Sequence, residues 1–175
     1  MYPVPPRAGT CGRTEQIVGN WLAGQARTRV ILATKASGPS RGLHWIRGGQ
    51  LDFDLASLRT AVEGSLRRLR TDYIDLYQLH WPARNQPMFG QWQFDPAKER
   101  QSTVILDTLE ALATLVREGK IRHFGLSNEH PWGVMEFVRL AREHGLPRAI
   151  SLQNAYSLLN RVYEYGLAEV CHREN

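Results

Sequence analysis

The sequence predicts an α/β fold built on a parallel sheet, and three observations carry that prediction. Four short apolar runs are each followed by a stretch with helical spacing, the pattern of βαβ crossovers. The helix-to-strand connections are short, whereas two strand-to-helix connections are long, residues 36–54 and 81–102. All four apolar runs close on a hydrogen-bonding or charged residue at the same end. In parallel α/β folds the functional site lies at the carboxyl ends of the strands and is built by the loops that follow them.

In chain order, Pro3 to Gly12 is rich in Pro and Gly and reads as loop. Thr14 is placed to cap a helix running to about Ala23, with Glu15 favourable in its first turn. VILATK (30–35) is a short apolar strand. The segment 55–70 sets Leu55, Leu58, Val62, Leu66 and Leu69 at helical spacing. IDLYQLH (74–80) is a strand. Residues 103–120 form a helix that Gly119 is placed to stop. IRHFGLS (121–127) is a strand, 132–145 a helix closed by Gly145 and Pro147, AISLQN (149–154) a strand, and 162–173 a last helix.

Composition sets bounds on this picture. The 175 residues are 42% hydrophobic and 22% charged, which suits one domain with a core. A complete eight-fold α/β barrel typically needs about 250 residues. The formal charge of +5 is compatible with an anionic partner, but the basic residues are scattered and form no run of five. Cys11 and Cys171 lie far apart with no metal-ligand spacing, and a reduced, cytoplasmic setting is the expectation. The N-terminus lacks the apolar core of a signal peptide, and no run of 18 apolar residues is present, so no membrane partner is expected. No phosphate loop of the GxxxxGK[ST] or GxGxxG kind follows a strand, and Trp45, Arg47 and Trp92 do not make a nucleic-acid surface.

The strand ends are Lys35, His80, Ser127-Asn128 and Gln153-Asn154. Each has a structural reading: Lys35 reaching to solvent, His80 bonded to backbone, Ser127-Asn128 capping the next helix, Gln153-Asn154 bridging neighbouring strands. Four such accidents at corresponding strand ends are less probable than one shared polar site. Lys35 is one of only three lysines in an arginine-rich chain, and a lysine, unlike an arginine, has a tunable pKa. The histidines provide no pairing at metal-ligand spacing, and no metal is expected.

VILATK, DYIDLYQLHWP, GKIRHFGLSN and ISLQNAYSLLNR, in this order, resemble the aldo-keto reductases, in particular the bacterial group that also resembles potassium-channel β subunits. The resemblance covers essentially the whole chain. It implies a (β/α)8 barrel of TIM type, of which residues 1–175 would form a single partial domain, about strands 3 to 6 with their helices. It implies reversible reduction of a small-molecule carbonyl, an aldehyde or ketone, with NADPH (NADP) as cofactor. It assigns catalytic roles to Tyr2, Lys35 and His80, and nicotinamide contacts to Ser127, Asn128 and Gln153. Trp81 is either a wall of the substrate pocket or outer packing. The family's catalytic Asp precedes the Tyr and has no counterpart ahead of Met1. From that, the expectation is that this length of chain is a weak catalyst and cofactor binder. Two further readings stand beside the enzyme: a non-enzymatic binding or regulatory module on the same fold, and a truncated remnant. Oligomeric state stays open.

Overall fold

The computed structural model describes residues 7–39, 43–49, 51–88 and 90–174. The expected alternation is present. Helix α1 (Arg13–Leu22) precedes strand β1 (Ala33–Ala36); α2 (Leu55–Leu69), β2 (Ile74–Leu79), α3 (Ile105–Arg117), β3 (Ile121–Ser127), α4 (Pro131–Glu143), β4 (Leu152–Gln153) and α5 (Leu167–Glu174) follow. The four strands form one parallel sheet in the order β1-β2-β3-β4. No described helix is long and apolar enough to cross a membrane.

The alternation of side chains splits the sheet into two unlike faces. Ala36, Tyr77, Leu79, Phe124 and Leu126 join Leu58, Val62, Leu109, Leu112 and Phe137 from the helices in one core. On the opposite face Ile31 is 87% exposed, and Ala33 and His123 are exposed as well. Towards its carboxyl end the same face carries Lys35 and His80, both half-buried, and Gln78, which is buried.

Local chemistry explains the boundaries. Asp54 caps α2 by accepting from Ser57 N at 2.9 Å, and Arg70 closes it in the left-handed conformation. Gly119, with φ 70°, follows the last turn of α3, where a residue with a Cβ would be strained. Pro131 opens α4 at a position whose N–H would have no helical partner.

Four expectations need correction. Thr14 does not cap the first helix: Gly12, at φ 75°, turns the chain directly into Arg13, and Thr14 lies inside α1. The first strand sits at Ala33–Ala36 rather than 30–35, because Asp75 N and Leu76 N both donate to Leu32 O before regular pairing starts. The fourth strand is two residues long rather than six. Bonds from Ile150 N to Phe124 O (3.0 Å) and from Leu126 N to Ser151 O (2.8 Å) join it to β3 irregularly. The last helix begins at Leu167: the extended Gly166 separates it from a 3-10 turn, Val162–Tyr165.

The opposite end of the sheet is held by charge. Asp75 accepts from Leu32 N at 3.0 Å, Arg27 Nη2 at 2.7 Å and Arg122 Nη1 at 3.0 Å. Both guanidinium groups lie over the Tyr73 ring, 3.9 and 4.1 Å from its centroid. Burial opposes ionisation of Asp75, but these donors outweigh it and hold the carboxyl below its ordinary range.

Helices α1 and α2 cross closely at Gly19, where an added Cβ would lie 2.3 Å from Arg68 O and 2.8 Å from Leu69 Cα. Backbone atoms cannot swing aside, so Gly19→Ala is expected to cost at least ~1–3 kcal/mol in urea unfolding. Gly24→Ala, where the nearest atom is 3.7 Å away, is expected to be neutral or slightly stabilising. Equal midpoints for the two variants would refute the close crossing.

Candidate active site at the carboxyl ends of the strands

Parallel pairing sets the levels of the site. Lys35 stands opposite Gln78, and Gln78 opposite Gly125. One level further, Ser127 stands opposite Gln153. Gly125 is required at its level, since a Cβ there would meet Ser151 Oγ at 2.2 Å. The ends of β1, β3 and β4 are thereby brought within hydrogen-bonding reach of one another. Lys35 Nζ donates to Ser127 Oγ at 3.3 Å, and Ser127 Oγ donates to Gln153 O at 2.8 Å.

Asn128 ties β2 into this group. Its Nδ2 donates to His80 O at 2.8 Å and lies 3.4 Å from Ser127 Oγ, while its backbone N donates to Gln153 O at 3.1 Å. Asn128 adopts φ 52°, the left-handed region that asparagine tolerates better than most residues. That turn lets one residue contact three strand ends. His80 N donates to Ala36 O at 2.9 Å, which extends the β1–β2 ladder past the regular strand.

The electrostatics are those of a desolvated cationic site. Burial, with a contribution from the Lys35 charge, pushes the His80 imidazole down to about 4, so the ring is neutral at neutral pH. Burial also lowers the Lys35 ammonium from its ordinary value. Lys98 and Lys120 each pair with carboxylates. Lys35, by contrast, has no ion pair with a carboxylate among the described residues, and its contact is a hydroxyl.

The other predicted residues fall as follows. Trp81 is buried; its Nε1 donates to Pro39 O at 2.7 Å and its ring leans on His80, with centroids 4.4 Å apart. It fastens the loop after β1 to the end of β2 and lines a small cavity of about 30 Å³ with Phe53 and Leu79. Gln153 is exposed on the open face. Tyr2 lies outside the described residues. A larger cleft of about 410 Å³ opens beside Asn128, lined by Met88, Trp92, His130, Tyr163 and Tyr165 among others.

Three buried or half-buried groups escape the sequence reading. Glu129 takes two bonds from the Arg84 guanidinium, 2.9 and 2.5 Å, and Gln86 Nε2 donates to Asn128 O at 2.8 Å. Glu129 carries no local signal: it precedes the N-cap His130 and lies outside the first turn of α4, and its main partner, Arg84, is 45 positions away. Nothing local marks Arg84 or Gln86, because their partners lie 45 and 42 positions away.

The model of the aldo/keto reductase family matches residues 8–175. The chain is 51% identical over 176 aligned residues to the protein tas of Escherichia coli, covering 99% of this chain and 51% of that protein. It is 36% identical to an uncharacterized oxidoreductase, YrpG, of Bacillus subtilis, over 87% of this chain and 42% of that one. The chain thus spans about half the length of these relatives. Among solved structures, an aldo/keto reductase of Klebsiella pneumoniae in complex with NADP and acetate superposes with a TM-score of 0.67 at 32% identity, over 93% of this chain and 46% of that one. A thermostable aldo-keto reductase solved with the inhibitor epalrestat gives a TM-score of 0.70 at 27% identity, over 94% and 48%.

The His80 ring is expected to titrate near 4 rather than 6.5 in NMR spectra, and Lys35→Met to move its midpoint upward. Between about pH 6.5 and 4 the unfolded chain then carries a proton on this ring that the folded chain lacks, so stability falls as pH drops through that window. A native midpoint near 6.5, or one indifferent to Lys35→Met, would contradict the buried cationic site.

Proposed function

The chain belongs to the aldo/keto reductase family, and on that premise we propose that it carries the carbonyl-activating part of an NADPH-dependent reductase of aldehydes or ketones, working in the cytoplasm. The observation that carries this reading is the convergence of Lys35, a neutral His80, Ser127 and Asn128 on the ends of adjacent strands.

The residues present fit a nicotinamide. Its carboxamide needs both a donor and an acceptor: the exposed Gln153 side chain provides both, and Asn128, whose Nδ2 is held by His80 O, presents its Oδ1 as an acceptor beside the Ser127 hydroxyl. When bound, the nicotinamide supplies the hydride that reduces the carbonyl carbon. Everything else falls to side chains of this chain.

Negative charge grows on the substrate oxygen as its carbon is reduced, and a fixed N–H dipole lowers the cost of that charge. A neutral His80 retains one N–H to donate and one nitrogen to accept. The Tyr2 hydroxyl gives up the proton that completes the alcohol. Its ordinary pKa near 10 is too high for an efficient donor at neutral pH, and the Lys35 ammonium favours the resulting phenolate. Trp81, whose ring leans on His80 at an interplanar angle of 40°, limits the movement of the imidazole and walls that side of the site. The cleft beside Asn128 gives an apolar, aromatic-lined space of the kind that small-molecule substrates occupy.

NADPH added to the ¹⁵N-labelled chain is expected to shift the signals of Ser127, Asn128 and Gln153 saturably, with weak affinity of roughly 0.1–1 mM. Shifts confined to other parts of the chain, or none, would refute this reading.

A further inference from the structure

Glu129 is only 2% exposed, and its carboxylate is gripped by both arms of the Arg84 guanidinium. The same carboxylate accepts from His130 N at 2.7 Å. Glu129 also exchanges backbone bonds with one side chain: its N donates to Asn154 Oδ1 at 3.1 Å, and its O accepts from Asn154 Nδ2 at 2.7 Å. The Arg84 guanidinium lies 4.9 Å from the Trp132 ring centroid. Gly133 leaves the space the pair occupies, for a Cβ there would sit 2.4 Å from Arg84 Nη2 and Glu129 Oε1.

These contacts join the loops after β2, β3 and β4. Such a buried pair is a poor stabiliser, because desolvation of both ions offsets their attraction. Its effect is geometric. Glu129 follows Asn128 directly, and Asn154 follows Gln153 directly. The bonds between Glu129 and Asn154 therefore fix the separation at which Asn128 N and Ser127 Oγ reach Gln153 O. Gln86, two positions after Arg84, fixes the Asn128 carbonyl from the other side. A left-handed asparagine held only by its own preferences would have other conformations open to it; one held at N, O and Nδ2 has a single conformation.

We infer that the Arg84–Glu129 pair, acting through Asn154, is a positioning device that holds Asn128 and Ser127 in the geometry needed to receive the nicotinamide carboxamide. The inference rests on the proposed function for its ligand, and on the contacts alone for its structural half.

The test compares the parent with the double variant Arg84→Met/Glu129→Gln, which removes both charges and leaves an acceptor for His130 N. The double variant is expected to melt within about 3 °C of the parent, since the pair adds little net stability. Its NADPH dissociation constant, read from shift titration, should nevertheless rise by about fivefold or more. The Asn128 side-chain amide signals, sharp and dispersed in the parent, should broaden or collapse towards the solvent-exposed position. Arg84→Lys, which keeps the charge and loses the two-pronged contact, should show the same changes to a smaller degree and remain folded. An unchanged dissociation constant together with unmoved Asn128 signals in both variants would overturn the inference. A parent chain that gives no NADPH-dependent shifts would overturn the proposed function instead, while the Asn128 amide signals would still decide the positioning role.

Discussion

Everything at the candidate site depends on the register in which four short parallel strands pair. Lys35 opposite Gln78, Gln78 opposite Gly125, and Ser127 opposite Gln153 are positions in three successive ladders of one sheet, each aligned on the strand before it. Side chains alternate with a period of two, so a slip of one residue at any pairing would turn Lys35 or His80 under the helices. Gly125 enforces the level, since its missing side chain is what allows Ser151 and Gln78 to close over it.

That register is fixed from the helix side. Tyr77, Phe124, Leu58, Leu109, Leu112 and Leu115 are almost wholly inaccessible to water, and they can be so in only one alignment of the strands. Polar groups buried beneath the sheet add direction to this packing. Glu15 accepts from Thr34 Oγ1 at 2.6 Å and from Arg68 Nε at 2.7 Å, which joins α1 to β1 and α2 at one point. The face opposite is open and carries the polar ends. The division of labour is therefore physical: apolar burial on one face sets the register, and the register aims the chemistry on the other. Asn128 converts that alignment into a site, because its strained turn connects His80, Ser127 and Gln153 through its own donors.

Much of this was legible in the sequence. The third strand is found at the predicted 121–127, and α2, α3 and α4 lie within two residues of their predicted starts and ends or slightly inside them, because their apolar spacing is regular and their stops are glycines or αL residues. The polar strand ends could be read because a charged or amide residue at the end of an apolar run is conspicuous. The true extent of the fourth strand could not, since Ile150 and Leu152 alternate as in a strand while the irregular bonding of Ile150 and Ser151 to β3 is set by the neighbour. The predicted helix 162–173 is shorter because Val162–Tyr165 form a 3-10 turn and the chain breaks at Gly166, a local helix breaker that the continuous apolar spacing hides. Arg84, Gln86 and Glu129 were missed for another reason: their meaning lies in partners some 45 positions away, and the intervening residues do not encode it.

The central claim is that one register sets the strand ends against each other through specific backbone bonds. Through-hydrogen-bond scalar couplings measure such bonds directly. The account predicts couplings from Asn128 N to the Gln153 carbonyl carbon and from His80 N to the Ala36 carbonyl carbon, matching the donor–acceptor distances of 3.1 and 2.9 Å. Couplings from these two amides to carbonyls one residue away, or none to the neighbouring strand, would contradict it.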